Sequence, residues 1–210
     1  MINLKIKDVA TISSGVILSR FGAKQKAQIN LCDKVSEIET KKYQAITLRA
    51  INEDGSVNLA ECDNFESVDV LAERYLTQEN DILLRMFSPV KACLITKEAT
   101  GLVVPSQFSI IRMQKKEPEL QILVEYLFVL MQQPYFCNQI ERTSAGTVLK
   151  TITTGSVAEA EIKVPSFRKQ EQIIDFYRLM QEQNKIEKQL QEARSSYYQG
   201  IFNRMIKGEF

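Results

Sequence analysis

The segment from Phe167 to about Lys207 constrains the fold most strongly. It contains no proline and a single glycine, Gly200. With Phe176 at position a, six of the eight a and d positions of a heptad repeat are apolar. This pattern predicts one helix of about 40 residues and about 60 Å, longer than a single domain core needs. We therefore expect a coiled-coil helix that packs on a second helix through its a/d surface: Phe176, Leu179, Gln183, Ile186, Leu190, Ala193 and Tyr197.

Residues 4–112 have the pattern of short strands and turns. Strands are predicted in YQAITLRAI, in DILLRMF and on both sides of Gly101, with a turn at NEDGSVN. Helices are predicted in EPELQILVEYLFVLMQQ and in PYFCNQIER. These elements indicate an α+β fold with a mainly antiparallel, curved sheet and packed helices. The composition changes at Pro165, so we assign residues 1–165 to this domain and residues 166–210 to the long helix.

The chain lacks the residues that most catalytic and metal sites need. It has no histidine, no Gly-rich phosphate loop and no GxGxxG motif, which excludes a Ser-His or Cys-His couple and a His-ligated metal. Four cysteines, Cys32, Cys62, Cys93 and Cys137, occur without a CxxC pair and are expected to be reduced, mostly buried thiols. We therefore expect no catalytic residue, no metal and no cofactor.

No apolar run approaches the roughly 18 residues of a membrane helix. The N-terminal sequence MINLKIKDVA alternates polar and apolar residues, unlike the apolar block of a signal peptide. We therefore expect a cytoplasmic protein with no membrane partner.

The charges are unevenly distributed, although the net charge is only +1. Residues 1–50 carry nine Lys/Arg against four Asp/Glu, whereas residues 51–81 carry one against nine. Such polarity allows a basic face for phosphates and an acidic face elsewhere. Ordinary solvated surface explains the same distribution equally well.

Several segments occur in the order found in one known family. They are LKIKDVATISSG, YLTQENDILLR, GLVVPSQFSIIR, YLFVLM, SAGTVLKTITTGSVAEAEIKVPSFRKQEQI and YYQGIFNRMI. In this order they resemble the specificity subunit of type I restriction-modification enzymes, which has two target recognition domains, each followed by a long helix. The most specific part is the small-residue loop followed by a strand, VP and Q-x-x-I. The chain resembles one half of such a subunit, as a natural half, a remnant or a truncated form, and NDIL stands where many relatives carry Gly-Asp.

The resemblance implies a non-catalytic subunit whose target recognition domain reads double-stranded DNA. It implies a methyltransferase subunit as partner, and through it a restriction subunit, both directed to a bipartite target. Because the two long helices of such relatives pack antiparallel, the single helix of this chain implies a homodimer. The alternative is a coiled-coil adaptor or regulatory oligomer that keeps the fold without reading DNA.

The loop RTSAGTVLKTITTG consists largely of small and hydroxylated residues around two glycines. Hydroxyl groups, backbone N–H groups and the flanking cations can contact phosphates, since glycine lets the chain approach closely. The DNA-contact candidates in this loop are Arg142, Ser144, Gly146, Thr147, Lys150 and Thr151. The alternative is a tight connection against the base of the long helix.

Other polar residues are candidates for DNA contact. Arg20, Lys24 and Lys26 lie in a glycine-containing polar loop, where phosphate contact and simple solvation are equally plausible. Arg49 and Arg85 follow apolar strand residues and can read guanine, or can pair with the acidic segment 51–81. The remaining candidates are Gln107, which can pair with adenine or bond at a strand edge, and Lys91.

Overall fold

The computed structural model describes residues 2–22, 40–114, 121–142 and 152–209. The chain divides into two compact units, Met1–Gln170 and Glu171–Phe210. In chain order the elements are β1 Ile2–Lys5, α1 Ile6–Val9, β2 Ala10–Ser14, β3 Lys41–Ala45, β4 Asp63–Ser67, β5 Ile82–Arg85, β6 Ala92–Leu94, β7 Phe108–Met113, α2 Val124–Met131, α3 Pro134–Arg142, α4 Thr154–Ala158, β8 Glu161–Val164 and α5 Phe167–Lys207.

The strands of the first unit form three antiparallel sheets in the described ranges. A four-stranded sheet has the order β2-β7-β5-β6, and two-stranded sheets pair β1 with β8 and β3 with β4. The central strand β5 is apolar at three consecutive positions, Ile82, Leu83 and Leu84, and all three are fully buried. Such a run is expected where both faces of a strand are covered. The predicted α+β class with mainly antiparallel strands is confirmed.

Two apolar clusters formed by described residues help to hold this unit together. The larger packs Leu83 and Cys93 of the four-stranded sheet with Ile46, Ile95 and Phe108. The smaller packs Val16, Ala45, Leu71 and Val103, and backbone bonds from Ile46 N to Val103 O (2.9 Å) and from Val103 N to Gln44 O (2.8 Å) fix the β3–β4 hairpin beside it. Burial of apolar area on this scale is the main driving force for folding.

The predicted turns hold glycines in the left-handed region. Gly55 has a φ of +79° and Gly101 a φ of +80°, a conformation that costs glycine little and other residues more. Residues 97–99 between β6 and Gly101 form a 3-10 turn. The interpretation of this segment as two strands around a Gly101 turn therefore agrees with the structure.

The helix predicted in EPELQILVEYLFVLMQQ is shorter than expected. It begins at Val124, and Leu123 before it is extended (φ −74°, ψ 132°). The backbone of Gln121 and Leu123 bonds to the side chain of Gln170 instead of to a helical turn. Residues 115–120 lie outside the described part of the chain. The helix predicted in PYFCNQIER is confirmed as α3.

Two local predictions were wrong in part. Only the first three residues of YQAITLRAI are in a strand, which runs over Lys41–Ala45, because Thr47 Oγ1 accepts a hydrogen bond from Ala50 N and turns the chain. Among the described cysteines Cys93 is buried, whereas Cys62 and Cys137 are half-buried. Cys32 lies outside the described residues.

Helix α5, which has 41 residues, forms most of the second unit. The predicted long helix is therefore confirmed. From Arg178 to Lys207 nearly every residue of this helix is exposed, and the remaining two, Gln181 and Ile201, are half-buried. Within the described ranges, no helix is long and apolar enough to cross a membrane.

Candidate nucleic-acid interface

One end of the four-stranded sheet brings together candidates that are far apart in sequence. Strands β2 and β5 end there, at Ser14 and Arg85, while β6 and β7 begin there, at Ala92 and Phe108. Antiparallel pairing sets Arg85 opposite Phe108. We call this end of the sheet the Arg85 end; it is formed by residues 14–15, 85–87, 91–92 and 107–109. Three predicted contact residues, Arg85, Lys91 and Gln107, lie on it.

Backbone hydrogen bonds fix the chain segments at the Arg85 end. The N–H of Arg85 donates to Lys91 O (2.9 Å) and the N–H of Met86 donates to Gln107 O (2.9 Å). The N–H of Ile152 donates to Met86 O (2.9 Å). Ile152 belongs to the small-residue loop RTSAGTVLKTITTG, so this described residue of the loop contacts the Arg85 end.

Gly15 allows a close approach of two backbones at this end. A Cβ atom at this position would lie 2.1 Å from Pro105 O and 2.4 Å from Val104 O, far inside van der Waals contact. Gly15 N also donates to Phe108 O (3.0 Å). Gly15, at the end of the segment ATISSG, is thus required by its own close approach to the backbone of residues 104–105.

Arg85 is a half-buried cation without a carboxylate partner in the described ranges. Its Cζ lies 4.0 Å from the centroid of the Phe87 ring, which is cation–π distance. Its Nε is buried and has no hydrogen-bond partner among the described residues. The alternative prediction, an ion pair of Arg85 with the acidic segment 51–81, has no support in these residues.

Arg112, at the opposite end of the sheet, is paired with a carboxylate. Its Nε lies 2.7 Å from Asp81 Oδ1, and its Nη2 donates to Asp81 Oδ2 at 2.7 Å. The hydrogen bonds that Arg112 donates to Asp81 raise the pKa of Arg112. A bidentate pair of this kind neutralises the arginine, so of these two arginines on one sheet only Arg85 lacks a carboxylate partner within the part of the chain that the structure describes.

The other described candidates lie on different elements. Arg20 is exposed in the 3-10 turn Leu18–Arg20, and the next residue, Phe21, accepts a hydrogen bond from Val68 N. Arg49 is exposed in the turn after β3, with its Nε 4.0 Å from Glu61 Oε2. Such an exposed pair contributes little to stability. Arg142 is exposed at the last position of α3.

Of the three residues at the Arg85 end, Gln107 is exposed and Lys91 is half-buried, as Arg85 is. Seven predicted contacts lie outside the described residues: Lys24, Lys26, Ser144, Gly146, Thr147, Lys150 and Thr151.

Sequence reasoning missed two side chains. Phe87 lies under Arg85, and its only signal is an aromatic residue two positions after a strand-end arginine. Gln170 is buried (1% exposed), and it is the glutamine of the Q-x-x-I pattern. Its amide bonds Leu123 N, Gln121 O and Pro165 O at 2.9, 2.9 and 3.1 Å.

The a/d surface of α5 is exposed along its length. Phe176 is 72% exposed, Leu179 66% and Ile186 57%, and Gln183, Leu190, Ala193 and Tyr197 are exposed as well. Gln183 donates to Glu187 Oε1 within the same helix (2.8 Å). Nearer the C terminus, Phe202, Met205 and Ile206 are further exposed apolar residues.

The fold is similar to that of two solved structures. One is the HsdS subunit from Thermoanaerobacter tengcongensis, with a TM-score of 0.63 and 16% identity over 93% of this chain and 46% of that one. The other comes from a study of complex assembly and conformational transition of the type I R-M system, with a TM-score of 0.64, 15% identity and the same coverage. The resemblance predicted from sequence is confirmed at the level of the fold.

The chain spans about half the length of these solved chains, 46% of each. No protein-family model and no curated protein matches the sequence at a significant level.

Proposed function

We propose that the chain is a DNA sequence-recognition subunit of a type I restriction-modification system. It has no catalysis of its own and directs a methyltransferase subunit, and through it a restriction subunit, to a bipartite target. The observation that carries the proposal is the HsdS-like fold over 93% of the chain. Arg85, a cation with no carboxylate partner among the described residues, supports it, because a protein surface for DNA needs such charges.

The Arg85 end offers both kinds of contact that sequence recognition requires. Lys91 supplies a flexible ammonium for a phosphate, which positions a protein on the duplex without reading its sequence. Arg85 and Gln107 carry the side-chain types that bind the edges of guanine and adenine in the major groove. Ile152 of the small-residue loop contacts the same end of the sheet, and we include the hydroxyl groups of this loop and Lys150 in the proposed contact set.

The proposal assigns methyl transfer to a separate subunit. The chain has no histidine and no Gly-rich cofactor loop, and methylation needs a site for a methyl donor. The purified chain is expected neither to bind S-adenosylmethionine nor to methylate DNA. Methylation by the pure protein would contradict this part of the proposal.

The exposed surface of α5 leads us to include a homodimer in the proposal. An apolar stripe of this length on a helix requires a partner. A second copy, packed antiparallel, covers the stripe with the same residues and closes the assembly with two-fold symmetry. The two recognition domains then present their Arg85 ends to DNA in inverted orientation.

The salt dependence of DNA binding tests the proposed function. We expect the full chain to bind random-sequence duplex DNA with a strong dependence on salt concentration, because phosphate contacts release counterions. Lys91→Ala should lower the slope of log affinity against log salt by about one unit if Lys91 neutralises one phosphate. Lys97→Ala is the matched control, since exposed Lys97 follows β6 at its other end. Absence of binding by the unmodified chain would favour the adaptor alternative.

A further inference from the structure

We propose that Arg85, stacked on Phe87, reads a guanine of the target and is a determinant of base identity at that position. This inference rests on the proposed function and deepens it, because it names the base and the side chain that selects it. It starts from the position of the guanidinium group, whose Cζ lies 4.0 Å from the Phe87 ring centroid.

The surroundings of Arg85 restrain its guanidinium group. Its backbone N–H is bonded to Lys91 O, and the next residue, Met86, is bonded on both sides, to Gln107 O and from Ile152 N. Met86 is buried, so the strand end cannot shift freely. The contact with Phe87 then restrains the side chain, and a restrained group loses less entropy on binding.

The burial of Nε determines which nitrogen atoms of the Arg85 guanidinium group can contact a ligand. With Nε enclosed, the two terminal Nη groups form the edge that can meet a ligand. Two parallel N–H donors match the O6 and N7 acceptors of guanine, the commonest specific arginine contact in the major groove. A phosphate contact requires charge alone, which a lysine supplies equally well.

The positive charge of Arg85 can interact with a ligand. Arg112 on the same sheet is held by Asp81 on two nitrogens, whereas no carboxylate pairs with Arg85 within the described ranges. A half-buried cation without a counter-ion is costly in the free protein. An electronegative base edge offsets that cost on binding, which favours guanine over bases that present a donor at the same place.

Selection of bound sites from a random duplex pool tests the inference with the full chain. The unmodified protein should enrich a site with guanine at one position. Arg85→Lys keeps the charge but removes the planar pair of donors, so it should lower discrimination at that position alone, by about 5-fold to about 140-fold. Phe87→Leu should weaken the same position, and Phe87→Tyr should preserve it.

Arg74→Lys is the matched control, because the Arg74 guanidinium lies 4.7 Å from the Tyr75 ring centroid on a different element. It should leave the selected site unchanged. Thermal melting checks that each variant is folded, and Phe87→Leu carries the test if Arg85→Lys is unfolded.

The outcomes separate the two proposals. If the unmodified chain enriches a site and Arg85→Lys enriches the same site, the guanine assignment is wrong while the proposed function stands. Uniformly weaker binding of Arg85→Lys to all sequences would identify a phosphate contact and would also overturn the assignment. If the unmodified chain enriches no sequence, the proposed function fails and this inference fails with it.

Discussion

Gln170 connects the segment before α2 to the first turn of α5. Its side-chain amide donates to Gln121 O and Pro165 O and accepts from Leu123 N, while its own N–H donates to Ser166 O in the first turn of α5. The backbone groups just before α2 are therefore satisfied by a side chain, as buried polar groups must be. The position of this residue in α5 thus also explains the late start of α2.

Replacing Gln170 with alanine should destabilise the first unit by roughly 1–3 kcal/mol, because backbone groups of Gln121 and Leu123 lose their part-buried hydrogen bonds. Urea unfolding of the full chain measures this change. Gln172→Ala is the matched control, since Gln172 is exposed in the same helix and the change in helix propensity is identical. Equal stability of the two variants would show that the Gln170 hydrogen bonds are not important.

The candidate contact residues could be named from the sequence, but their proximity could not be predicted from it. Arg85, Lys91 and Gln107 carry suitable side chains near predicted strand ends, and this information is local. Their proximity at the Arg85 end depends on the register of β5 with β6 and β7. This register is set by packing between segments distant in sequence. For the same reason Phe87 was missed and Arg49, now beside Glu61, was placed with Arg85.

At the scale of elements, two lysines and one glutamate link the N terminus to α4. Lys5 Nζ lies 2.7 Å from Glu159 Oε2, and Lys7 Nζ lies 2.5 Å from Glu159 Oε1. Ile6 N also donates to Ala160 O (3.1 Å). The hydrogen bonds from Lys5 and then Lys7 lower the pKa of Glu159 from the usual 4.5 to about 2. This contact closes the β1–β8 sheet beside the start of α5.

The lowered pKa makes this link sensitive to acid. The stabilisation is fully present above pH 4.5, where an unfolded glutamate is ionised, and it is lost as the pH falls toward 2. Glu159→Gln should therefore be less stable than the unmodified chain at neutral pH, with the difference disappearing across that window. Since all three side chains are largely exposed, we expect a small effect.

Urea midpoints measured at a series of pH values follow this effect. Glu79→Gln is the control, because Glu79 is exposed, and its profile should parallel that of the unmodified chain. A Glu159→Gln profile with the same acid dependence as the unmodified chain would exclude the proposed link.

The elements differ in how well the sequence predicts them. Helix α5 follows from a repeat that is local and sustained over many turns, and α3 follows from an amphipathic pattern that begins at Pro134. The division into three sheets was not predictable, since β1 pairs with β8 across most of the chain. In the same way, the start of α2 depends on a side chain some 47 residues away.

At the scale of the whole molecule, the proposed homodimer rests on the exposed surface of α5. Ile186→Glu with Leu190→Glu places charges on the a/d surface and should produce monomers that lose specific DNA binding but keep weak nonspecific affinity. Asn184→Glu with Gln191→Glu is the matched control, because these neighbouring positions are exposed but lie off the a/d surface. Sedimentation of both proteins at micromolar concentration provides the measurement.

A monomeric unmodified chain would contradict the homodimer and favour pairing with a different half subunit. If the dimer forms, its geometry limits the target. The 41 residues of α5 at about 1.5 Å each span roughly 60 Å. At about 3.4 Å per base pair, the unread spacer has an upper limit of order 17 base pairs, and overlap of the domains with the coil reduces it.

The base sequence that the unmodified chain selects from a random duplex pool tests the central claim most directly. Sequence recognition by two inverted copies predicts an enriched site of two inverted halves, separated by unread base pairs within the limit set by α5. Enrichment of no sequence, with binding that depends on salt alone, would contradict the account.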